Sequence, residues 1–378
     1  GGFQPDHVVD YQGGFQEVSL PILSWEDLGT GNSTAAGNVS LLTDSFHLAP
    51  LERYRRIWIY LPPDYEQSGL NYPVLYMHDG QNLFDLYTSF SGEWEVDESL
   101  NDLFSDGDPG IIVVGIENGG PFRMEEYTPW ENSQYGGGRG EAYLKSITHH
   151  LKPHIDSTFR TFPEAARTGL MGSSLGGLIS YYGGLEHPEV FGKVGVFSPS
   201  FWWSDSIYQF TSEHITQKPL SLYFLGGEQE GPTLIPNIER IIDSLQLPGF
   251  DSLRYTLRVH ADGQHSEWYW NREFPDAYLW LFQELVTSLT QNGRDLADFR
   301  LFPNPASDSI QVHLRGPFPQ NTYLALVNAQ GQLLWKTPVD GSTLETIPTT
   351  QLPAGWYVVQ LRSRGELLKS QRVIVQRS

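Results

Sequence analysis

The sequence predicts an α/β domain on a mostly parallel sheet, followed by a small all-β sandwich. Three observations lead there. Short continuous apolar runs, such as Pro73–Met77 and Ile111–Ile116, alternate with longer stretches of helical period. Past Gln291-Asn292-Gly293 the helical pattern stops, and short β-rich segments separated by turn residues take over. The charge changes sign at the same place: from Ala297 onward there are 8 Lys/Arg against 5 Asp/Glu, leaving 16 basic and 40 acidic residues before it.

Length and composition bound the possibilities. At 378 residues the chain suits one enzyme-sized domain plus a small one, with a lead-in over 1–36, an α/β domain over 37–292 and a sandwich over 299–378. The absence of cysteine removes disulfides, thiol nucleophiles and cysteine–zinc sites together. A net charge of −21 argues against nucleic acid and anionic membrane as partners. No apolar run is long enough for a membrane span. No secretory leader is visible, and the chain opens on Gly1-Gly2, as a trimmed end would.

Along the chain, the lead-in is rich in Gly, Asn, Ser and Thr, with one strand expected at Phe15–Leu20. Val39–Leu48 and Arg53–Leu61 are strand candidates, and the alternation in Arg55–Leu61 suits an antiparallel edge strand closed by Pro62-Pro63. The buried runs Pro73–Met77 and Ile111–Ile116 flank a helix at Glu95–Phe104. Glu141–Phe159 puts Leu144, Ile147, Leu151 and Ile155 on one face, a helix bent by Pro153. Strands at Lys193–Phe197, Leu220–Leu225 and Leu253–Val259 follow, with helices at Ile238–Leu247 and Trp268–Leu289. In the last part, strands are expected at Ser309–Leu314, Tyr323–Val327, Leu333–Lys336, Tyr357–Leu361 and Leu367–Val375.

The chemistry centres on Thr168-Gly-Leu-Met-Gly-Ser-Ser-Leu-Gly-Gly177. A short apolar run ends in Gly172-Ser173-Ser174-Leu175-Gly176, and a helical pattern starts at once. That is the strand–turn–helix setting in which the middle serine of G-x-S-x-G, here Ser174, stands exposed as a nucleophile. With 38 glycines the bare pattern arises by chance about 0.3 times in such a chain, so its setting carries the weight. A serine hydroxyl needs a base, and the base needs an acid to hold it. In α/β-hydrolases these follow in the order Ser, acid, His. After Leu220–Leu225 comes Gly226-Gly227-Glu228-Gln229-Glu230, and after Leu253–Val259 comes His260 and then His265. Glu230, clear of the strand end, is preferred as the acid, with Glu228 as the alternative. His265 is preferred over the strand-end His260 as the base. An oxyanion hole needs two backbone N–H groups. Leu175 follows the nucleophile, and Gln81 lies in the loop after the early buried strand, where Gly80 allows a close approach. Asp79 in that loop reads as a turn former.

These residues resemble a family. His78-Asp79-Gly80-Gln81-Asn82-Leu83-Phe84, Gly172–Gly177, Ser198-Pro199-Ser200-Phe201-Trp202-Trp203 and the His265 loop are similar to the "putative esterase" (esterase D-like) family of α/β-hydrolases, which includes feruloyl, acetylxylan and siderophore esterases and mycolyltransferases. The resemblance runs from about Val39 to Leu289. It implies an α/β-hydrolase fold, Ser174, Glu230 and His265 as a triad, Gln81 and Leu175 as oxyanion donors, and no cofactor. The last part resembles the C-terminal sorting domain of type IX secretion substrates, through Leu301-Phe302-Pro303-Asn304-Pro305, Asn328–Gln332 and Leu352–Tyr357. That implies the export machinery as a partner and a place outside the cell or on its surface.

Phe201, Trp202 and Trp203, beside the nucleophile, and Tyr127 and Trp130, after Ile111–Ile116, are the expected substrate contacts, since flat aromatic faces suit sugars and aryl acyl groups. A role in the core is the competing reading for half of them. Arg123 and Glu126 read equally as pocket residues or as a surface pair. His150 and His154 have the i,i+4 spacing of a metal pair, but no H-E-x-x-H accompanies them, and no metal is expected. The expected activity is carboxylic ester hydrolysis on carbohydrate acyl esters, feruloyl or acetyl. The alternatives are a siderophore or other small ester, acyl transfer, and a binding module that keeps a hydrolase scaffold.

Overall fold

A computed structural model describes residues 33–214, 220–246, 250, 254–289, 298–315, 318, 322–328, 332–339, 344–363 and 366–377. The expected strand at Phe15–Leu20 lies outside them. Ten strands precede residue 262: β1 (Val39–Leu48), β2 (Arg53–Tyr60), β3 (Val74–His78), β4 (Ile112–Ile116), the short pair β5 (Glu131–Asn132) and β6 (Gly136–Gly137), β7 (Thr168–Ser173), β8 (Lys193–Phe197), β9 (Ser221–Gly227) and β10 (Tyr255–His260). Eight of them form one sheet in the order β1-β2-β4-β3-β7-β8-β9-β10. From β4 to β10 every pairing is parallel, while β1 and β2 join antiparallel.

The buried apolar runs are buried because both sheet faces are covered. Val74 and Tyr76 of β3 enter one core, with the helices Gly140–Ser146, Leu175–Glu186 and Leu234–Gln246 above them. Leu75 and Met77 enter the other, packed by the helices Val96–Ser105 and Glu267–Leu289. One strand therefore feeds two cores by its alternation alone.

Two expectations change. Arg53–Tyr60 is not the edge, because Val39–Leu48 covers it. Alternation reports which faces of a strand are wet, not what lies beside it. The Glu141–Phe159 segment is interrupted by a π-helical turn at Ile147–Leu151, just before Pro153, whose ring nitrogen cannot donate. The segment's apolar stripe still buries Leu144, Ile147, Leu151 and Ile155.

The remaining strands are β11 (Asp298–Phe302), β12 (Ser309–Arg315), β13 (Thr322–Asn328), β14 (Leu333–Pro338), β15 (Leu344–Pro348), β16 (Gly355–Ser363) and β17 (Glu366–Val375). They form two antiparallel sheets, β11-β12-β15 and β14-β13-β16-β17. Ile310 and Val312 from one meet Leu324, Leu326, Val359 and Val373 from the other in a single core. The short strands β11 and β15 add to those expected.

At the carboxyl ends of β9 and β10 two backbones touch. A Cβ on Gly227 would lie 2.2 Å from the Gly263 carbonyl carbon, and only glycine fits. Gly227→Ala should cost about 3 kcal/mol in denaturant unfolding. Gly37→Ala, whose Cβ meets nothing within 4 Å, should stay within about 0.5 kcal/mol.

Candidate active site

The carboxyl ends of the parallel strands gather the site, as open α/β sheets require. Ser174 sits between β7 and the helix Leu175–Glu186 with φ 59° and ψ −119°, a strained conformation for a residue with a side chain. Its surroundings enforce the turn. The Ser174 N–H donates to Phe197 O at 2.9 Å, and the Ser200 N–H donates to Ser174 O at 3.0 Å. The flanking glycines are demanded by space. A Cβ on Gly172 would come within 2.9 Å of the His78 ring, and one on Gly177 within 2.7 Å of Phe197 O.

Glu230 and His265 meet across the β9 and β10 loops. His265 Nδ1 lies 2.6 Å from Glu230 Oε2. The Glu230 side chain is 1% exposed, and its Oε1 accepts from the Gly227 N–H at 2.7 Å and from Ser198 Oγ at 2.8 Å. Backbone bonds clamp the two loops together: Glu228 N–H to His260 O at 3.0 Å and Gln229 N–H to Gly263 O at 3.0 Å. Glu228 itself is exposed, so of the two candidate acids it is Glu230 that faces the imidazole. His260 turns instead to Tyr269 Oη at 3.1 Å and Glu273 at 3.5 Å. The His265 ring stands edge-on to Trp270 at 5.1 Å, and Trp270 Nε1 donates to Ser198 Oγ at 2.9 Å. Ser198 thus joins the acid to the segment that reaches Ser174.

Among the described residues, Ser174 Oγ meets Ser200 Oγ at 3.3 Å and makes no hydrogen bond to His265. Catalytic hydrogen bonds of this kind commonly tighten only as substrate binds.

On the other side of the serine, Gln81 lies in a 3₁₀ turn after β3. Among the described residues neither its N–H nor that of Leu175 has a backbone acceptor. The Gln81 peptide is fixed from both sides: Thr88 Oγ1 donates to its carbonyl at 2.7 Å, and its side-chain oxygen accepts the Asn118 N–H at 3.2 Å. Gly80 sits so close to Gly115 that a Cβ would be 2.6 Å from that backbone. Asp79 does more than turn the chain. With φ 56° it accepts two hydrogen bonds from Arg123, Nε to Oδ1 at 2.7 Å and an Nη to Oδ2 at 2.8 Å, and one from Asn118 at 2.7 Å. Burial would raise the Asp79 carboxyl, but the Arg123 charge and these hydrogen bonds bring it below the usual range. For Arg123, burial works downward and the Asp79 charge prevails, raising it.

Arg123 and Glu126 therefore form no surface pair. Glu126 is fully buried and binds Arg53 and Arg55, each at 2.7 Å. The expected aromatic contacts also divide. Tyr127, Phe201 and Trp203 are buried core residues: Tyr127 Oη accepts the Asp79 N–H at 3.1 Å, Phe201 packs on Tyr181, and Trp203 Nε1 donates to Trp130 O. Trp130 is half-buried against Tyr182 and Phe210. Trp202 is exposed, with Tyr135 from the β5–β6 pair standing edge-on to it at 5.9 Å. His150 and His154 are exposed.

Sequence reasoning missed Trp270 and Glu267, and it named Ser198 in a motif without giving it a role. Glu267 accepts from Ser91 Oγ at 2.5 Å and from Asn82 Nδ2 at 3.3 Å, tying the Gln81 loop to the His265 loop. Burial raises its carboxyl against the Ser91 hydrogen bond; Asp79 adds to the rise and His265 opposes it. Ser198, directly after a predicted strand, and Ser266-Glu267, directly before a predicted helix, were the available signal.

A mostly parallel, doubly covered sheet with a strained serine at its centre, and an exposed histidine held by a buried glutamate side chain beyond β9 and β10, defines an α/β-hydrolase. Residues 49–281 match the family described as "Putative esterase", and the chain belongs to it as a carboxylic ester hydrolase. Residues 300–376 match a secretion system C-terminal sorting domain, which addresses the chain through type IX secretion to the cell surface or beyond. Among the described residues no helix is long and apolar enough to cross a membrane.

The chain is 28% identical over 242 residues to the uncharacterized protein YbbA of Bacillus subtilis, covering 60% of this chain and 92% of that one. It is 25% identical over 199 residues to an endo-1,4-beta-xylanase/feruloyl esterase of Xylanibacter ruminicola, covering 51% of this chain and a quarter (25%) of that one. In fold it is similar to the enterobactin esterase FES from Shigella flexneri, with TM-score 0.53 and 20% identity over 65% of this chain and 60% of that one.

Arg123→Met would strand the Asp79 carboxylate beneath the Gln81 turn. Unfolding free energy should fall by about 2–4 kcal/mol, and kcat on p-nitrophenyl acetate should fall at least tenfold with KM little changed.

Proposed function

We propose that Ser174, His265 and Glu230 are the catalytic triad of a secreted serine esterase, and that its substrates are acyl esters, feruloyl or acetyl, on carbohydrate. The 2.6 Å contact between His265 Nδ1 and Glu230 carries the reading. With Nδ1 engaged by a carboxylate, the other ring nitrogen, Nε2, is left as the base. It takes the Ser174 proton as Oγ attacks the ester carbonyl. The oxyanion is met by the N–H groups of Gln81 and Leu175. His265, now charged and held by Glu230, returns its proton to the departing alcohol oxygen. Water then attacks the acyl-serine by the same route and frees the acid.

Two observations support the substrate class. Ser200, which caps the Ser174 carbonyl, leads directly into exposed Trp202, and Tyr135 extends that aromatic surface. Such a surface suits a sugar ring or an aryl acyl group. The feruloyl esterase relative points the same way. A siderophore ester is the second reading, favoured by the likeness to the enterobactin esterase; acyl transfer to a sugar would use the same acyl-enzyme.

A panel of methyl ferulate, acetylated xylan, a trilactone siderophore and p-nitrophenyl esters tests the proposal. Turnover of the first two should exceed that of the siderophore, and Ser174→Ala should lower kcat about 10³-fold or more on any accepted ester. A preference for the siderophore would replace the substrate class. Full activity of the serine variant would remove the triad.

A further inference from the structure

Outside the active site, Glu93, Asp97 and Glu98 place one carboxylate oxygen each within 4.8 Å of one another. Asp97 and Glu98 sit in the first turn of the helix Val96–Ser105, and Glu93 lies just before it. Asp97 is fully buried. One of its oxygens accepts the Ala36 N–H at 2.7 Å, while the other, Oδ1, has no hydrogen-bond partner. Glu98 Oε2 is likewise buried and unpartnered. Two carboxylate oxygens without a donor in a protein interior are costly unless a proton or a cation lies between them.

The charges nearby make the arrangement worse. Glu95 and Asp85 are the further charged groups that act on Glu93, and both are acidic. No Lys or Arg is among the main influences on Glu93 or Asp97. Burial, and then its acidic neighbours, push the Glu93 carboxyl up to about 7 against the Thr34 hydrogen bond, and burial and Glu98 raise Asp97 as well. The positive end of the helix favours anions at Asp97 and Glu98 but supplies only a partial charge.

We propose that this cluster is a binding site for a hard divalent cation, best suited to Ca²⁺. The donors are all oxygen, which excludes soft metals. Two oxygens each about 2.4 Å from one Ca²⁺ stand up to about 4.8 Å apart, and the three oxygens here lie within that distance of one another. Thr34 Oγ1, at 3.1 and 3.2 Å from the two Glu93 oxygens, lies at the rim, and water completes the shell.

The site has a structural purpose. Ser33 and Thr34 bind Asp85, and Ala36 binds Asp97, so the segment entering the domain is held at this point. The same loop carries Trp94, which packs on Phe197 at 5.3 Å and on Trp270 at 5.7 Å, and through Trp270 it reaches His265. A bound cation would brace the wall behind the histidine without touching substrate.

Full-length protein stripped with chelator and dialysed is the material for the test. Titration with CaCl₂ by calorimetry should give one site per chain. Saturating Ca²⁺ should raise the unfolding temperature by about 5 °C or more. Asp97→Asn and Glu98→Gln should abolish both effects. Should the Asp97 variant fail to fold, Glu93→Gln carries the same expectation, with hydrolysis of p-nitrophenyl acetate as the check on folding. The proposal is overturned if Ca²⁺, Mg²⁺ and Mn²⁺ all give neither heat nor a shift, or if the shift survives in the variants. It is also overturned if the metal-free protein gains stability as pH falls from 9 to 6 with no cation effect at any pH, since a proton shared by Asp97 and Glu98 would then hold the cluster together.

Discussion

Glu230 is a carboxyl taken almost entirely out of water, and the site is arranged around giving it partners. A buried carboxyl is tolerable only when its oxygens are hydrogen-bonded. Here the donors come from three places: the Gly227 backbone, Ser198 and His265. Each sits at the carboxyl end of a different strand or in the loop beyond it. Meeting the needs of one side chain thus fixes three loops relative to one another. The glycine contact between Gly227 and Gly263 brings the loops close enough for this, and the backbone bonds from Glu228 and Gln229 keep them there.

The serine side of the site is built by a different device. Strain at Ser174 is held by backbone bonds to Phe197 and Ser200, so the sheet itself offsets the cost of the turn. The Gln81 turn is held by charge: Asp79 lies beneath it, neutralised by Arg123 and capped by Tyr127. Glu267 then joins the Gln81 turn to the His265 loop through Ser91 and Asn82. Rigid supports of this kind are what preorganised oxyanion donors require.

Much of this was legible in the sequence, and the parts that were not share a cause. The buried runs at β3, β4 and β8 and the glycines around Ser174 are local signals, set by period and by steric need. Glu230 and Glu228 differ by two residues in a loop, where no period says which one turns inward. Tyr127, Phe201 and Trp203 are aromatic residues near the site that face the core, and composition does not report facing. The Arg123–Asp79 and Arg55–Glu126 pairs join residues 44 and 71 positions apart, so only the folded topology reveals them. Ser198 was visible as part of a motif, but its task of bridging Glu230 and Trp270 depends on a loop and a helix far along the chain.

The central claim is that Glu230, and not its neighbour two residues earlier, steadies the imidazole that activates Ser174. Steady-state kinetics of Glu230→Gln and Glu228→Gln, measured side by side on one p-nitrophenyl ester, address it most directly. The account predicts a loss in kcat of about 10³-fold or more for Glu230→Gln and less than about twofold for Glu228→Gln. Equal, small losses in both variants, or the larger loss at Glu228, would contradict it.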